Sequence, residues 1–202
     1  MKLYYSPGSC SLAPHIALCE AGAKFELVKV ALQTHTLPDG SDYYPVTAKG
    51  QVPLLELDDG TRLSEGAVIL QYIADHAPGR GLAPEPGTIA RYRVLEWLNY
   101  IATELHKGFA PLFDPTMSQE AKDKFAAKLV GRFAYVDGRL AGQDHLMGAQ
   151  FSIADAYLFT TSNWAARVGV DITGFKNVGA FRERMQARPA VRQAMKAEGL
   201  LA

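Results

Sequence analysis

The sequence contains only two cysteines, Cys10 and Cys19, and has no excess of charge of either sign. Lysine plus arginine and aspartate plus glutamate both number 21, so the net charge is zero and gives no reason to expect a nucleic acid or an acidic membrane as partner. No apolar run approaches the roughly 20 residues that span a bilayer. The first residues lack a basic region followed by an apolar core, so no signal peptide is predicted and cytoplasmic residence is the default expectation.

The cysteines do not suggest a disulfide framework. Cys19 comes nine positions after Cys10, so if both lie on one helix they are about 13–14 Å apart along its axis. A disulfide needs Cα atoms within about 7 Å. Cys19 lies on an apolar stripe with Ile16 and Leu18, which favours a core position. Cys10 is then a free thiol, as expected in a reducing compartment.

Cys10 is the most informative residue of the chain because of its neighbours. It follows a strand-like run at 2–5 and the turn residues Ser6-Pro7-Gly8, and it precedes an amphipathic run at 12–21. This pattern places the thiol at the start of a helix, where unpaired N–H groups and the helix dipole favour a reactive thiolate. A small buried core cysteine is the alternative, and the placement alone leaves both open.

The chain divides into two halves of different pattern. Residues 1–77 mix strand and helix signals in the order β-α-β then β-β-α, which predicts one mixed sheet with helices packed on it. The predicted strands cover 2–5, 25–30, 53–57 and 61–63, and the predicted helices cover 12–21 and 67–76. On one side of the second helix the pattern places the apolar residues Val68, Ile69, Tyr72 and Ile73. Residues 78–88 hold three prolines and three glycines and are predicted to be a linker.

Helical spacing dominates residues 89–202. The predicted helices cover 89–112, 119–141, 152–168 and 178–198. In the first of them one apolar face is formed by Val94, Trp97, Leu98, Ile101 and Leu105. Ser152 and Asp155 resemble a capping box, which predicts the start of a buried helix.

Taken together, the motifs resemble the beta class of glutathione transferases, the cysteine-type bacterial enzymes. The resembling segments are Tyr5-Ser6-Pro7-Gly8-Ser9-Cys10-Ser11, Gly50-Gln51-Val52-Pro53, Ser64-Glu65-Gly66, Glu96-Trp97-Leu98-Asn99-Tyr100, Glu104-Leu105-His106-Lys107 and Phe151-Ser152-Ile153-Ala154-Asp155-Ala156-Tyr157. The resemblance implies a thioredoxin-like, glutathione-binding domain at 1–77, a linker at 78–88 and an all-helical domain with an electrophile pocket at 89–202.

The resemblance also implies how the first half binds glutathione. Pro53 would follow a cis bond, so that the N–H and C=O of Val52 pair with the cysteinyl backbone of the ligand; an ordinary edge-strand proline is the alternative. Glu65 would have a positive φ and pair with the γ-glutamyl ammonium, while N–H groups at the helix start, including that of Gly66, hold the carboxylate.

Three further residues of the first half are candidate contacts. Ser11 belongs to the cysteine motif, and Tyr5 competes with Cys10 as hydrogen-bond donor to the glutathione sulfur. Close relatives often carry lysine where this chain has His35, so a contact from His35 to the glycyl carboxylate would be weaker.

Polar residues of the first predicted helix of the second half lie on one face, which by itself is typical of a solvated surface. The resemblance implies that Asn99, Thr103 and Glu104 reach the glutathione of a neighbouring subunit in a homodimer, and that His106 faces the sulfur. The expected lining of the electrophile pocket is Lys107, Phe109, Phe113 and Trp164, although the aromatic residues could equally be plain core.

The predicted function is the transfer of the glutathione thiolate, activated by Cys10 and assisted by His106, to small hydrophobic electrophiles, with no metal. A second hypothesis is a glutathione-dependent thiol–disulfide oxidoreductase or reductive dehalogenase in which Cys10 is the nucleophile. A third is a glutathione- or ligand-binding protein that has lost turnover. The sequence does not identify the electrophile.

Overall fold

A computed structural model describes residues 1–201, and contacts between Cα atoms divide the chain into two units. Unit 1 consists of residues 1–83 together with the segment from 188 onward. Unit 2 consists of residues 84–187. This division differs from the predicted one, because the end of the chain belongs to the first unit and not to the helical one.

Unit 1 contains the predicted mixed sheet. Its strands are β1 (Lys2–Tyr5), β2 (Glu26–Lys29), β3 (Leu54–Glu56) and β4 (Arg62–Ser64), in the spatial order β2-β1-β3-β4. The central strand β1 is parallel to β2, with Tyr4 opposite Val28, and antiparallel to β3, with Tyr4 opposite Leu54. The hairpin from β3 to β4 turns at Asp58-Asp59-Gly60, as the turn residues predict.

Helices of unit 1 are α1 (Leu12–Ala21), α2 (Gly66–Asp75) and, at the end of the chain, the last helix of the protein, Pro189–Ala197. Gly22 ends α1 with a left-handed φ of 64°, a conformation that glycine adopts without the Cβ penalty. The last helix packs on α1. Fully buried side chains from the sheet and from both early helices form the core: Leu3, Ile16, Leu55, Ile69 and Leu70.

Unit 2 is helical. Its helices are α3 (Ile89–Tyr100), α4 (Lys107–Phe113), α5 (Gln119–Leu140), α6 (Ile153–Ser162) and α7 (Lys176–Ala187), with a 3₁₀ turn at Ala165–Val168; the last helix of unit 1 is therefore α8. A π-helical segment, Ile101–His106, joins α3 to α4. All the side chains of the predicted apolar face are buried: Val94, Trp97, Leu98, Ile101 and Leu105.

Asp155 caps α6 as predicted. Its carboxylate accepts hydrogen bonds from the backbone N–H of Ser152 (2.7 Å), the hydroxyl of Ser152 (2.8 Å) and the backbone N–H of Leu146 (2.8 Å). Every residue of α6 is buried and so is Ser152, so without the Asp155 carboxylate these donors at the start of the helix would lack an acceptor. Burial raises the pKa of the Asp155 carboxyl, and the donors oppose that shift.

Two expectations about the helices are wrong in detail. The predicted helix at 178–198 is two helices, because Arg188 is extended (φ −67°, ψ 131°) ahead of Pro189, which begins α8. Val68 was expected on the apolar side of α2, but it is 47% exposed.

Within residues 1–201, none of the helices combines the length and the apolar character that a membrane span requires.

Candidate functional site

The loop that carries Cys10 is held in shape by its own hydroxyl groups and by the end of the chain. The buried Ser11 hydroxyl donates to the carbonyl of Ser6 (3.2 Å) and accepts from its backbone N–H (3.1 Å). The backbone N–H of Gly8 donates to Glu198, 2.8 Å away, and the same carboxylate pairs with His15 at 2.9 Å. The side chains of His15 and Glu198 are 2% and 0% exposed, so this contact connects the loop to the core of unit 1.

Ser11 is thus part of the framework of the loop. Because its hydroxyl is buried and engaged with Ser6, the structure supports a structural role better than the predicted direct contact with glutathione.

Cys10 lies just before α1, where the sequence places it. Its thiol is half-buried and donates to the carbonyl oxygen of Val52 over 3.1 Å. The bond between Val52 and Pro53 is cis, as the resemblance implies. Unit 1 therefore brings the predicted nucleophilic group beside the backbone predicted to bind a peptide.

Glu65 precedes α2 with φ 68° and ψ 111°, which confirms the predicted positive φ. This conformation is unfavourable for a residue with a Cβ and is typical of functional sites. The Glu65 carboxylate pairs with Lys49 over 2.6 Å, and Lys49 also donates to the Ser64 hydroxyl over 3.1 Å. Gly66 is the first residue of α2, so its backbone N–H lies at the positive end of the helix.

His35 has a left-handed backbone, with φ 52°. Its ring stacks on Tyr44, with the ring centres 4.7 Å apart, and its Nδ1 lies 3.0 Å from the Gly50 carbonyl oxygen. Since a carbonyl only accepts, Nδ1 carries the proton in this contact. A Cβ on Gly50 would lie 2.8 Å from both rings, so this cluster requires glycine at position 50.

Two further side chains of unit 1, Tyr5 and Cys19, have a raised pKa. Burial, with a contribution from Glu198, raises the pKa of Tyr5, so its hydroxyl stays protonated and able to donate. Burial raises the pKa of Cys19 to about 11, and Glu20 and Glu198 add to that shift. Cys19 is half-buried, and both cysteines are free, as predicted.

In unit 2, the π-helical segment ends at His106. The His106 Nδ1 lies 2.7 Å from the hydroxyl oxygen of Tyr157, a residue of α6 that is 3% exposed. The His106 ring also meets Trp164 edge to face, with the ring centres 4.9 Å apart. π-helical turns are often found at functional sites, which is consistent with a role for His106.

The predicted aromatic walls meet at Trp164. Its ring packs edge to face on Phe109 and on Phe113, with centroid distances of 5.7 and 6.1 Å. Phe109 is fully buried, whereas Phe113 is 48% exposed. Lys107 is exposed at the start of α4.

The residues expected to reach a neighbouring subunit lie at the junction of α3 and the π-helical segment. Asn99 and Thr103 are exposed, and the Thr103 hydroxyl donates to the Asn99 carbonyl over 3.0 Å. Glu104 pairs with Arg132 over 2.6 Å. Their predicted contact with glutathione stays a prediction.

Three residues around these groups escaped the sequence analysis. Lys49 had no local signal, because it is one lysine in a polar loop. Tyr157 was expected only to fill the core of α6, and the partner of its hydroxyl is 51 residues away in the chain. Glu198 contacts Gly8 across 190 residues, which no local pattern can reveal. Across residues 1–201, no cluster of three or more His, Cys, Asp or Glu side chains could hold a metal ion.

Comparisons with known proteins show the family of the chain. The family models "Glutathione S-transferase, N-terminal domain" and "Glutathione S-transferase, C-terminal domain" match residues 8–76 and 100–189. The chain is 50% identical to glutathione S-transferase GstA of Escherichia coli O157:H7, over 99% of this chain and all of that protein.

Solved structures give the same result. A sphingomonad glutathione S-transferase complexed with glutathione matches with a TM-score of 0.95 and 48% identity, over the full length of both chains. A bacterial beta-class glutathione S-transferase of Sphingomonas chungbukensis matches with a TM-score of 0.96 and 46% identity, again over the full length of both.

Proposed function

The chain belongs to the beta class of the glutathione S-transferase family and is an enzyme with glutathione as its co-substrate, and on this premise we propose that it transfers the glutathione thiolate to small hydrophobic electrophiles in the cytoplasm. The sulfur attacks the electrophilic carbon and forms a C–S bond. The leaving group, for example a halide of an aryl halide, departs with its bonding electrons.

The contact between the Cys10 thiol and the Val52 carbonyl carries this proposal. A peptide that pairs with Val52 in the manner of an added strand has its cysteinyl side chain near Cys10 and the start of α1. Hydrogen bonds from Cys10 and nearby amides would favour the thiolate. Lowering the thiol pKa by two units corresponds to about 2.7 kcal/mol of thiolate stabilisation, and the proton passes to solvent.

Glu65 and Gly66 fit the γ-glutamyl end of the ligand. The Glu65 carboxylate would bind the ammonium in exchange for Lys49, and the N–H groups that begin α2 would bind the carboxylate. We assign His35 to the glycyl carboxylate in its protonated form, in which Nδ1 donates to the Gly50 carbonyl and Nε2 also carries a hydrogen that it can donate to the ligand.

The aromatic cluster of unit 2 fits the second substrate. Phe113 offers an exposed apolar surface for a hydrophobic electrophile, with Trp164 and the buried Phe109 packed behind it, and Lys107 lies exposed next to His106 in the sequence. We assign His106 a hydrogen bond to the reacting sulfur.

A homodimer follows from the predicted roles of Asn99, Thr103 and Glu104. Exposed apolar side chains on α3 and α5 support such an interface: Ile89 is 75%, Tyr92 58% and Tyr135 52% exposed. Sedimentation should give a dimer mass, and Tyr92→Asp should shift it toward the monomer while Leu200→Asp does not. A monomeric wild type would exclude the interface.

A glutathione-dependent thiol–disulfide exchange is the second candidate, favoured by the half-buried thiol of Cys10, which is not in a disulfide. The Cys10 thiolate would attack the glutathione sulfur of a disulfide between glutathione and another thiol, forming a mixed disulfide with glutathione and releasing the other thiolate. A second glutathione would attack that mixed disulfide, forming oxidised glutathione and releasing the Cys10 thiolate.

One pair of measurements separates the candidates: intact mass after incubation with oxidised glutathione, and the rate of glutathione conjugation to an aryl halide. Cys10→Ala is the test variant and Cys19→Ala the control, because a thiol of pKa about 11 is almost entirely protonated at neutral pH. If Cys10→Ala loses both adduct and conjugation, Cys10 is the common centre. If it loses only the adduct, Cys10 serves exchange and other groups activate glutathione.

A further inference from the structure

The contact between Tyr157 and His106 restricts what the histidine can do. The Tyr157 hydroxyl oxygen and the His106 Nδ1 are 2.7 Å apart, and the rings of the two residues meet edge to face with centres 5.9 Å apart. Trp164 packs on the same imidazole at 4.9 Å. The ring is therefore held by the polar contact with Tyr157 and by edge-to-face contacts with the rings of Tyr157 and Trp164, all within unit 2.

The chemistry of the two groups decides which atom holds the proton. A phenol is a good donor with an ordinary pKa near 10, and the unprotonated nitrogen of a neutral imidazole is a good acceptor. When Tyr157 donates to Nδ1, the single ring proton of neutral His106 must be on Nε2. When His106 is protonated, both nitrogens carry hydrogen and Nδ1 donates to the Tyr157 oxygen. Nε2 carries a hydrogen in both states.

We propose that Tyr157 is a positioning residue that keeps Nε2 of His106 protonated, so that His106 donates a hydrogen bond to a developing anion and does not accept the glutathione proton through Nε2. The inference rests on the proposed function in one respect, namely that His106 acts on the reacting sulfur. It deepens that function, because it makes His106 a stabiliser of the thiolate and leaves solvent as the acceptor of the proton.

The tautomer can be observed directly by ¹⁵N NMR of histidine side chains in the enzyme without glutathione. The chain has five histidines, and His106→Gln identifies the signals of His106. At about pH 8.5, where an ordinary histidine is neutral, the wild type should show His106 with the proton on Nε2. Observation of the Nδ1-protonated tautomer in the wild type would overturn the proposal, and this measurement needs no Tyr157 variant to fold.

Tyr157→Phe removes the hydroxyl and keeps the ring, so the His106 signals should move to a mixture of tautomers. Tyr100→Phe is the matched control, because the Tyr100 hydroxyl donates to the Arg132 carbonyl over 3.1 Å instead of to a histidine; it should leave the tautomer unchanged. Unchanged His106 signals in Tyr157→Phe would also overturn the proposal.

Kinetics connect the tautomer to the reaction. Tyr157→Phe should lower kcat for conjugation about tenfold with little change in glutathione affinity, whereas a purely structural defect would alter both. His106→Gln separates the action of His106 on the sulfur from the positioning of its ring by Tyr157. If it retains full activity while the wild type shows the Nε2-protonated tautomer, the proposed role of His106 fails and the positioning by Tyr157 stands.

Discussion

The two units hold their functional groups by different means. Unit 1 relies on special backbone geometry: the positive φ of Glu65, the start of α2 and the backbone of Val52 beside Cys10 and next to a cis bond. Unit 2 relies on contacts between side chains, as in the contact of His106 with Tyr157 and Trp164. A ligand that binds backbone atoms tolerates many substitutions of the side chains around it. The geometry of a site made of contacting side chains changes when any one of them is replaced.

Each unit nevertheless depends on one buried carboxylate. Glu198 binds the N–H of Gly8 and the ring of His15 in unit 1, and Asp155 binds the N–H groups of Leu146 and Ser152 in unit 2. Both carboxylates act far from the surface and fix a loop that leads into the functional region.

The largest effect is expected from Glu198→Ala. Removing one partner of a buried pair costs about 3–5 kcal/mol, because the other polar groups stay buried without a partner. The free energy of unfolding in urea should fall by that amount. Glu20→Ala is the control: its pair with Arg188 is partly exposed (16% and 30%) and should cost less than about 1 kcal/mol. Equal losses in both variants would contradict a special role for Glu198.

Asp155→Ala should have the next largest effect. It removes the acceptor of two backbone N–H groups and one hydroxyl, with an expected loss of about 2–4 kcal/mol in the free energy of unfolding. Ser118→Ala removes a single exposed cap of α5 and should cost only about 1 kcal/mol. If the two variants unfold at the same urea concentration, the buried cap is not the anchor of α6.

Glu65→Gln tests whether the residue that precedes α2 with a positive φ binds glutathione through its carboxylate. Loss of a charge-assisted hydrogen bond to the γ-glutamyl ammonium should weaken glutathione binding about 10- to 100-fold, measured by calorimetry. Lys49→Met is the control, because Glu65→Gln also disrupts the exposed pair with Lys49. Unaltered affinity in Glu65→Gln would show that Glu65 does not bind the ammonium.

The smallest effect is expected from Gly66→Ser. A Cβ on Gly66 would meet only the Pro53 Cγ at 3.7 Å, an ordinary contact, so the substitution should fit. The added hydroxyl can supply one more hydrogen bond to the γ-glutamyl carboxylate, worth about 0.5–1.5 kcal/mol. The dissociation constant of glutathione should therefore fall about 2- to 10-fold. An unchanged constant would mean that the N–H at this position already satisfies the carboxylate, and a rise would mean that the hydroxyl hinders the ligand.

The strands and the two early helices of unit 1 were predicted well because their signals are local, whereas the cis bond before Pro53 and the positive φ of Glu65 were implied by the resemblance. Gly22, Pro53 and Glu65 occupy positions where the backbone conformation is special, and each lies within or beside a short motif. The hairpin was likewise visible from one Asp-Asp-Gly turn. Special backbone conformations at glycine, proline and turn residues can be predicted from the sequence, because each of these residues has strong conformational preferences.

The remaining features could not be read because they depend on distant residues or on a change of helical period. The pairing of Glu198 with His15 spans 183 residues. A regular 100° period does not reveal the π-helical segment that ends at His106. The break before Pro189 did have a signal, since proline favours the first turn of a new helix, but the apolar pattern continues through it.

Ultraviolet titration of the glutathione thiolate on the enzyme tests most directly the claim that unit 1 binds glutathione and favours its ionised form. The account predicts that the thiolate absorbance of bound glutathione appears about two pH units lower than that of free glutathione, corresponding to about 2.7 kcal/mol. Bound glutathione that titrates at the same pH as free glutathione would contradict it.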